Sequence, residues 1–183
     1  MEKINFFTKI IIRLNINPNI VTWAGAIGTV IGSIMLMFDF RVTAILIIAI
    51  FSLFDAIDGT IARVQSKESD RGKFLDSNLD RISDTFIFLA IMTQLNTQES
   101  STFYILISAL SMSLITSYVQ ATAEISNTKI LSGPLSRLPR VILLLLSIIT
   151  QQYRNILIII LVMSIVTVLI RLYSGLTRIK EKS

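Results

Sequence analysis

The chain has 183 residues, of which 52% are hydrophobic and 16% charged, and its mean hydropathy of +0.70 is that of a protein living in a bilayer. At ~20 residues per crossing the length holds about six membrane helices and leaves no room for a large extramembrane domain. There is no Cys and no His. Disulfides, thiolate or imidazole metal sites and a Ser-His-Asp triad are therefore excluded, and any acid–base or metal chemistry must rest on carboxylates. The net charge of +5 is spread over four separated segments. No basic patch is interleaved with stacking aromatics, so no nucleic-acid partner is expected.

The first 20 residues, with Lys3, Lys9 and Arg13 at intervals, lack the pattern of a removable signal peptide, and none is expected. Ile4 to Leu14 is apolar with Lys9 and Arg13 set into it, which suits a helix lying in the membrane interface. A plain extension of the first span is the alternative. Pro18 marks the start of that span, since proline is tolerated in a first helical turn. Apolar stretches then follow at 19–38, 42–54, 85–95, 103–119, 141–149 and 156–170. Strand signals and repeats are absent. The expected fold is an all-α integral membrane protein, one domain over 1–183, with an interfacial segment at 1–17 and a six-helix transmembrane core at 19–175.

Only the first and fourth stretches approach the length needed to cross a hydrocarbon core of ~30 Å at ~1.5 Å per residue. The second has 13 residues, so a crossing that starts at Val42 must run on to Ile61 and take Asp55 and Asp58 with it. Counting back 20 residues from Leu95 likewise brings in Asp76, Asp80 and Asp84. Of the 17 basic residues, 15 fall on one side of this arrangement, and only Arg41 and Arg154 on the other. The positive-inside rule then puts both termini and the acidic segment in the cytoplasm.

Seven of the 12 acidic residues lie between Asp55 and Asp84. Ionisable groups at membrane depth are costly and mark function by default. Asp55 and Asp58 are spaced i,i+3, and Asp76, Asp80 and Asp84 i,i+4, so each set shares a helix face. Two such rows facing each other would form an anionic cage that divalent cations stabilise. Hard oxygen ligands select Mg²⁺, Mn²⁺ or Ca²⁺, and a metal pair is the usual clamp for phosphoryl chemistry. Gly59, Ala62 and Gly72 allow close approach of backbone or ligand, and Arg63 is a ready anion partner. Two other uses of these residues stay open. The acids could cap and salt-bridge a helix hairpin with Arg63 or Arg81, or they could bind cations in a transporter.

Written out, the segment is Asp55-x2-Asp58-Gly59-x2-Ala62-Arg63-x8-Gly72-x3-Asp76-x3-Asp80. It resembles, at all eight fixed positions, the signature of the CDP-alcohol phosphatidyltransferase family, and the six-span outline extends the resemblance over the whole chain. The resemblance implies transfer of a phosphatidyl or archaetidyl group from a CDP-activated lipid to a polar alcohol, with release of CMP. It implies two Mg²⁺ or Mn²⁺ ions held by Asp55, Asp58, Asp76 and Asp80. Asp80 would also be the catalytic base, and Asp55, Asp58, Gly59, Ala62, Arg63 and Gly72 would bind CDP. A homodimer is expected by the same resemblance, with Ser108, Ala109, Ser111 and Ser113 permitting close packing.

The runs Phe74–Asp84, Tyr118–Glu124 and Arg137–Arg140, with Ile170–Tyr173, are similar to the branch of the family that makes phosphatidylinositol phosphate and archaetidylinositol phosphate. Gln120 and Thr122 stand where that branch carries cations. Arg137, Arg140 and Arg171, each placed at the cytoplasmic end of a span, are the expected grip on an acceptor phosphate. The expected acceptor is inositol phosphate, with glycerol 3-phosphate second.

Overall fold

The structure, a computed structural model, describes residues 18–64, 69–95 and 100–180; the side chains of Pro18, of 55–64 and of 179–180 lie outside that description. The interfacial helix expected within 1–17 falls outside the described residues. Six helices follow in order: α1 (Pro18–Met37), α2 (Arg41–Val64), α3 (Asp70–Thr93), α4 (Ser100–Ile125), α5 (Arg137–Thr150) and α6 (Tyr153–Lys180). No strand occurs among the described residues. The chain divides into two compact units at the Ala90–Ile91 boundary, inside α3.

In the first unit α1 and α2 form an antiparallel hairpin. Asp39, at φ 66°, ends α1 in the left-handed conformation. The Asp39 N–H donates to the Leu36 carbonyl and the Phe40 N–H to that of Met35, which satisfies the last carbonyls of the helix. The Asp39 carboxylate then accepts from Arg41 Nε at 2.9 Å. Two glycines one turn apart, Gly28 and Gly32, let the backbones come close. A Cβ on Gly28 would strike the ring of Phe51, and one on Gly32 would lie 2.8 Å from Ile48 Cγ1. This small-xxx-small spacing is how membrane helices pack where no hydrophobic force separates protein from lipid. Thr29 and Ser33, buried in the same seam, donate their hydroxyls to the carbonyls of Gly25 and Thr29, four residues back, and expose no polar atom.

The second unit packs α4 and α5 against α6. Thr102, Leu106, Ala109, Ser113 and Thr116 make the buried stripe of α4, at the three- and four-residue steps of a helix face. Ala109 and Ser113, expected among the residues open to a second copy, are therefore used inside the chain, whereas Ser108 and Ser111 are exposed. Asn127, at φ 47°, closes α4 as Asp39 closes α1: the Thr128 N–H reaches the Ala123 carbonyl and the Asn127 N–H that of Glu124.

By length and composition three helical segments can cross a membrane: Asn19–Met37, Ser100–Ile125 and Tyr153–Arg178. The sixth stretch, expected to stop at Ile170 and fall short, corrects that expectation. The helix passes through Arg171 and runs to Lys180, because Leu172, Leu176 and the small residues around them continue it.

Replacing Gly28 by Ala puts a methyl group into the Phe51 ring. It is expected to destabilise the protein by ~1–3 kcal/mol, the usual cost of overpacking, read by thermal unfolding in detergent. Phe51→Ala in the same chain should recover part of the loss. Unchanged unfolding of Gly28→Ala alone would show that the two helices do not meet there.

Candidate active site

The helix α2 does not end where its apolar run ends. It continues unbroken from Arg41 to Val64, so Asp55, Asp58, Gly59, Ala62 and Arg63 all stand on its last turns, the two aspartates one turn apart. Their side chains lie outside the description. The next helix starts with Ser69 as a cap, its hydroxyl accepting from the Gly72 N–H at 3.0 Å. Asp70 lies in the first turn, where the positive end of the helix favours an anion. A Cβ on Gly72 would stand 3.2 Å from Ser69 Oγ and 3.3 Å from Asn19 Oδ1, so the glycine lets the first turn of α3 approach the start of α1.

One turn further on comes Asp76, then Asp80, both half-buried, and then Asp84, which is only 4% exposed. The Arg81 guanidinium donates to the Ser77 carbonyl. Burial deepens steadily along this face, into Ile87, Phe88 and Ile91. Among the described residues no group of three or more carboxylates is gathered, two of the four acids of interest being on the undescribed side chains of α2. What the structure does give is Asp76 and Asp80 on one face of a continuous helix.

The arginines belong to the second unit. Arg137 is the first residue of α5 and Arg140 lies one turn on. Arg140 is 4% exposed. Arg137 is half-buried, with the like charge of Arg140 beside it. The helix carries no acid in its first turn, and its N-cap residue, Ser136, makes no capping bond with its side chain. Two guanidiniums and the positive end of a helix dipole thus converge with no local anion from α5 itself. That is the arrangement which an incoming phosphate or carboxylate relieves.

Arg171 differs. It lies inside α6, not at its end, and its donors go to the main chain: Nε to the Ser132 carbonyl at 3.0 Å and Nη1 to the Thr116 carbonyl at 2.6 Å. Sequence reasoning did not find the residues that surround it, because main-chain acceptors 39 and 55 positions away leave no local pattern. Arg171 also borders a cavity of about 140 Å³, with Val119, Thr122 and Ala123 of α4, Ile130, and Gly175 of α6. The two positions that replace cations are engaged locally. Gln120 Nε2 donates to Glu124 Oε1 at 2.8 Å, and the Thr122 hydroxyl donates to the carbonyls of Tyr118 and Val119.

A six-helix membrane chain with an acid-bearing helix pair is matched from residue 15 to residue 170 by the sequence model of the CDP-alcohol phosphatidyltransferases. The chain belongs to that family and is an enzyme of its class. A protein of Aquifex aeolicus is 34% identical over 93% of this chain and 85% of its own length. The archaetidylinositol phosphate synthase of Pyrococcus horikoshii is 29% identical over 94% of this chain and 90% of its own. The fold is similar to that of Mycobacterium tuberculosis phosphatidylinositol phosphate synthase. The crystal structure of that enzyme with manganese and citrate has a TM-score of 0.80 at 24% identity, covering 93% of this chain and 88% of that one. The structure with CDP-DAG bound has a TM-score of 0.79 at 23% identity, covering 92% and 91%.

Proposed function

We propose that this phosphatidyltransferase uses inositol phosphate as its acceptor, and that it works as a six-span protein with its site on the cytoplasmic face. The observation that carries the acceptor reading is the pair Arg137 and Arg140 in the first turn of α5, the first half-buried and the second buried. A phosphomonoester offers two guanidiniums and a helix N-terminus the charged oxygens that a neutral polyol lacks. The names of the relatives support the same branch. Glycerol 3-phosphate would engage the arginines equally, and it is the second candidate because Gln120 and Thr122 offer no added charge to tell the two apart.

In the reaction, the acceptor hydroxyl oxygen attacks the lipid-linked phosphorus of the CDP-lipid. Its proton passes to the Asp80 carboxylate, the bond between that phosphorus and the bridging oxygen breaks, and CMP leaves with the electron pair. A carboxylate base is what this chain can offer, having no His or Cys. The donor set fits a hard cation, with Asp76 and Asp80 one turn apart and half-buried on α3 and Asp55 and Asp58 one turn apart on α2. Two Mg²⁺ or Mn²⁺ ions held there would polarise the pyrophosphate and stabilise the departing charge. Arg63 would pair with the nucleotide phosphates, and Gly59, Ala62 and Gly72 would leave room for them.

Release of CMP from a CDP-lipid by the purified enzyme should require Mg²⁺ or Mn²⁺ and stop in excess EDTA; turnover that survives chelation would remove the metal assignment. Asp80→Asn should fold and insert but lose at least ~10²-fold in turnover, the size of a general-base contribution. Arg137→Ala or Arg140→Ala should raise the acceptor KM by the equivalent of ~1.5–3 kcal/mol and leave the KM for CDP-lipid in place. Better turnover of inositol or serine than of their phosphorylated counterparts would overturn the phosphate reading.

A further inference from the structure

Between the cap of α4 and the start of α5, residues 128–136 run as a strap without helix of their own. Four side chains of α6 hold it: Thr167, Arg171, Ser174 and Arg178. Their steps of four, three and four residues set them in one row along the helix. The Leu135 N–H donates to Thr167 Oγ1 at 3.1 Å, Arg171 Nε donates to the Ser132 carbonyl, the Leu131 N–H donates to Ser174 Oγ at 3.1 Å, and Arg178 Nη1 donates to the Lys129 carbonyl at 2.6 Å. Helix and strap therefore run antiparallel, and every bond joins a side chain to the main chain. The hydroxyls of Thr167 and Ser174 are themselves fixed by donating to the Met163 and Arg171 carbonyls, so their lone pairs are aimed.

The strap is also pressed onto this row. Gly133 has φ +73°, and a Cβ there would lie 2.7 Å from Thr167 Cγ2. Leu135, two residues before Arg137, is fully buried. The next residue, Ser136, accepts the Arg140 N–H at its carbonyl, 3.3 Å away. From the amide that Thr167 holds to the first arginine of α5 is thus a span of two residues with no slack.

We propose that this row of α6 is the positioning device of the acceptor site: Thr167, Ser174 and Arg178, with Arg171 between them, set the strap and through it the places of Arg137 and Arg140. The inference rests on the acceptor reading above and adds to it Thr167, Ser174 and Arg178, which act through the strap. Two guanidiniums of like charge repel each other, and a short misplacement of either costs binding heavily. A rigid approach to α5 is what holds the pair ready.

The test is steady-state CMP release by the full-length enzyme with CDP-diacylglycerol and an acceptor, together with hydrogen exchange at the Leu131 and Leu135 amides. Thr167→Val, Ser174→Ala and Arg178→Gln should each raise the acceptor KM by about 3- to 10-fold, the weight of one hydrogen bond. The KM for CDP-diacylglycerol should be unchanged and exchange at the strap faster. Thr167→Ser and Ser174→Thr, which keep the acceptor oxygen, should restore both readings. Arg178 is exposed, so its variant folds even if the Thr167 change does not. Faster exchange with an unmoved acceptor KM would overturn the inference, as would a KM that rises equally for both substrates. If the wild-type enzyme prefers a neutral acceptor, the phosphate reading fails on its own, and the strap is then judged by the KM of that acceptor.

Discussion

A peptide group withdrawn from water must be hydrogen-bonded, and in a membrane chain only a helix supplies the partner from within its own segment. The stretch between α4 and α5 has no helix of its own to do so. Two of its amides and two of its carbonyls are answered by α6, whose polar residues would otherwise be misplaced in so apolar a helix: Thr167 is fully buried, and Arg171 and Ser174 are nearly so. Gly133 follows from the same need, since a side chain there would hold the strap off the row that satisfies it. The length of α6 follows as well. A helix ending at Ile170 would leave Ser132, Leu131 and Lys129 without their partners.

Charge obeys the parallel rule. Burying a guanidinium costs several kcal/mol unless a partner answers it, and this chain puts its charges where something can. Arg171 is answered by two carbonyls. Arg137 and Arg140 stand in the first turn of α5, where the positive end of the helix favours an anion. The aspartates carried by α2 and α3 raise the mirror question, which the proposed cations would answer.

The extension of α2 through Asp55 and Asp58 was legible in the sequence because a 13-residue apolar run cannot cross a bilayer, so the helix had to take the acids with it. Pro18 announced the start of α1 for a similarly local reason. The apolar run 156–170 understated α6, and the core bound at 175 still fell short of Lys180, because Arg171 interrupts the hydropathy while its guanidinium is accommodated by carbonyls from 116 and 132. Those partners are far away in sequence, and no hydropathy pattern contains them. The glycine pair Gly28 and Gly32 had a readable spacing, but its meaning depends on Phe51 and Ile48 standing opposite, which only the hairpin shows. Asp76 and Asp80 were legible as a row, since helical spacing alone sets them on one face. Arg137 and Arg140 were legible as candidates, whereas the burial of Arg140 and the acid-free start of their helix were not.

The two missing cations then become intelligible through charge. A phosphomonoester carries about −1.5 to −2 at neutral pH. Arg137 and Arg140 supply two positive charges, and the helix end adds the equivalent of about half a charge. Arg171 and Glu124, within electrostatic reach of each other, add one charge of each sign, so the balance is near neutral without any contribution from positions 120 and 122. Further cations there would leave the empty site more repulsive still. Gln120, tied to Glu124, and Thr122, tied to its own helix, add no charge to that balance. The remaining selectivity must then come from shape and hydrogen bonding around the hydroxyl-bearing part of the acceptor, where a neutral residue discriminates as well as a charged one.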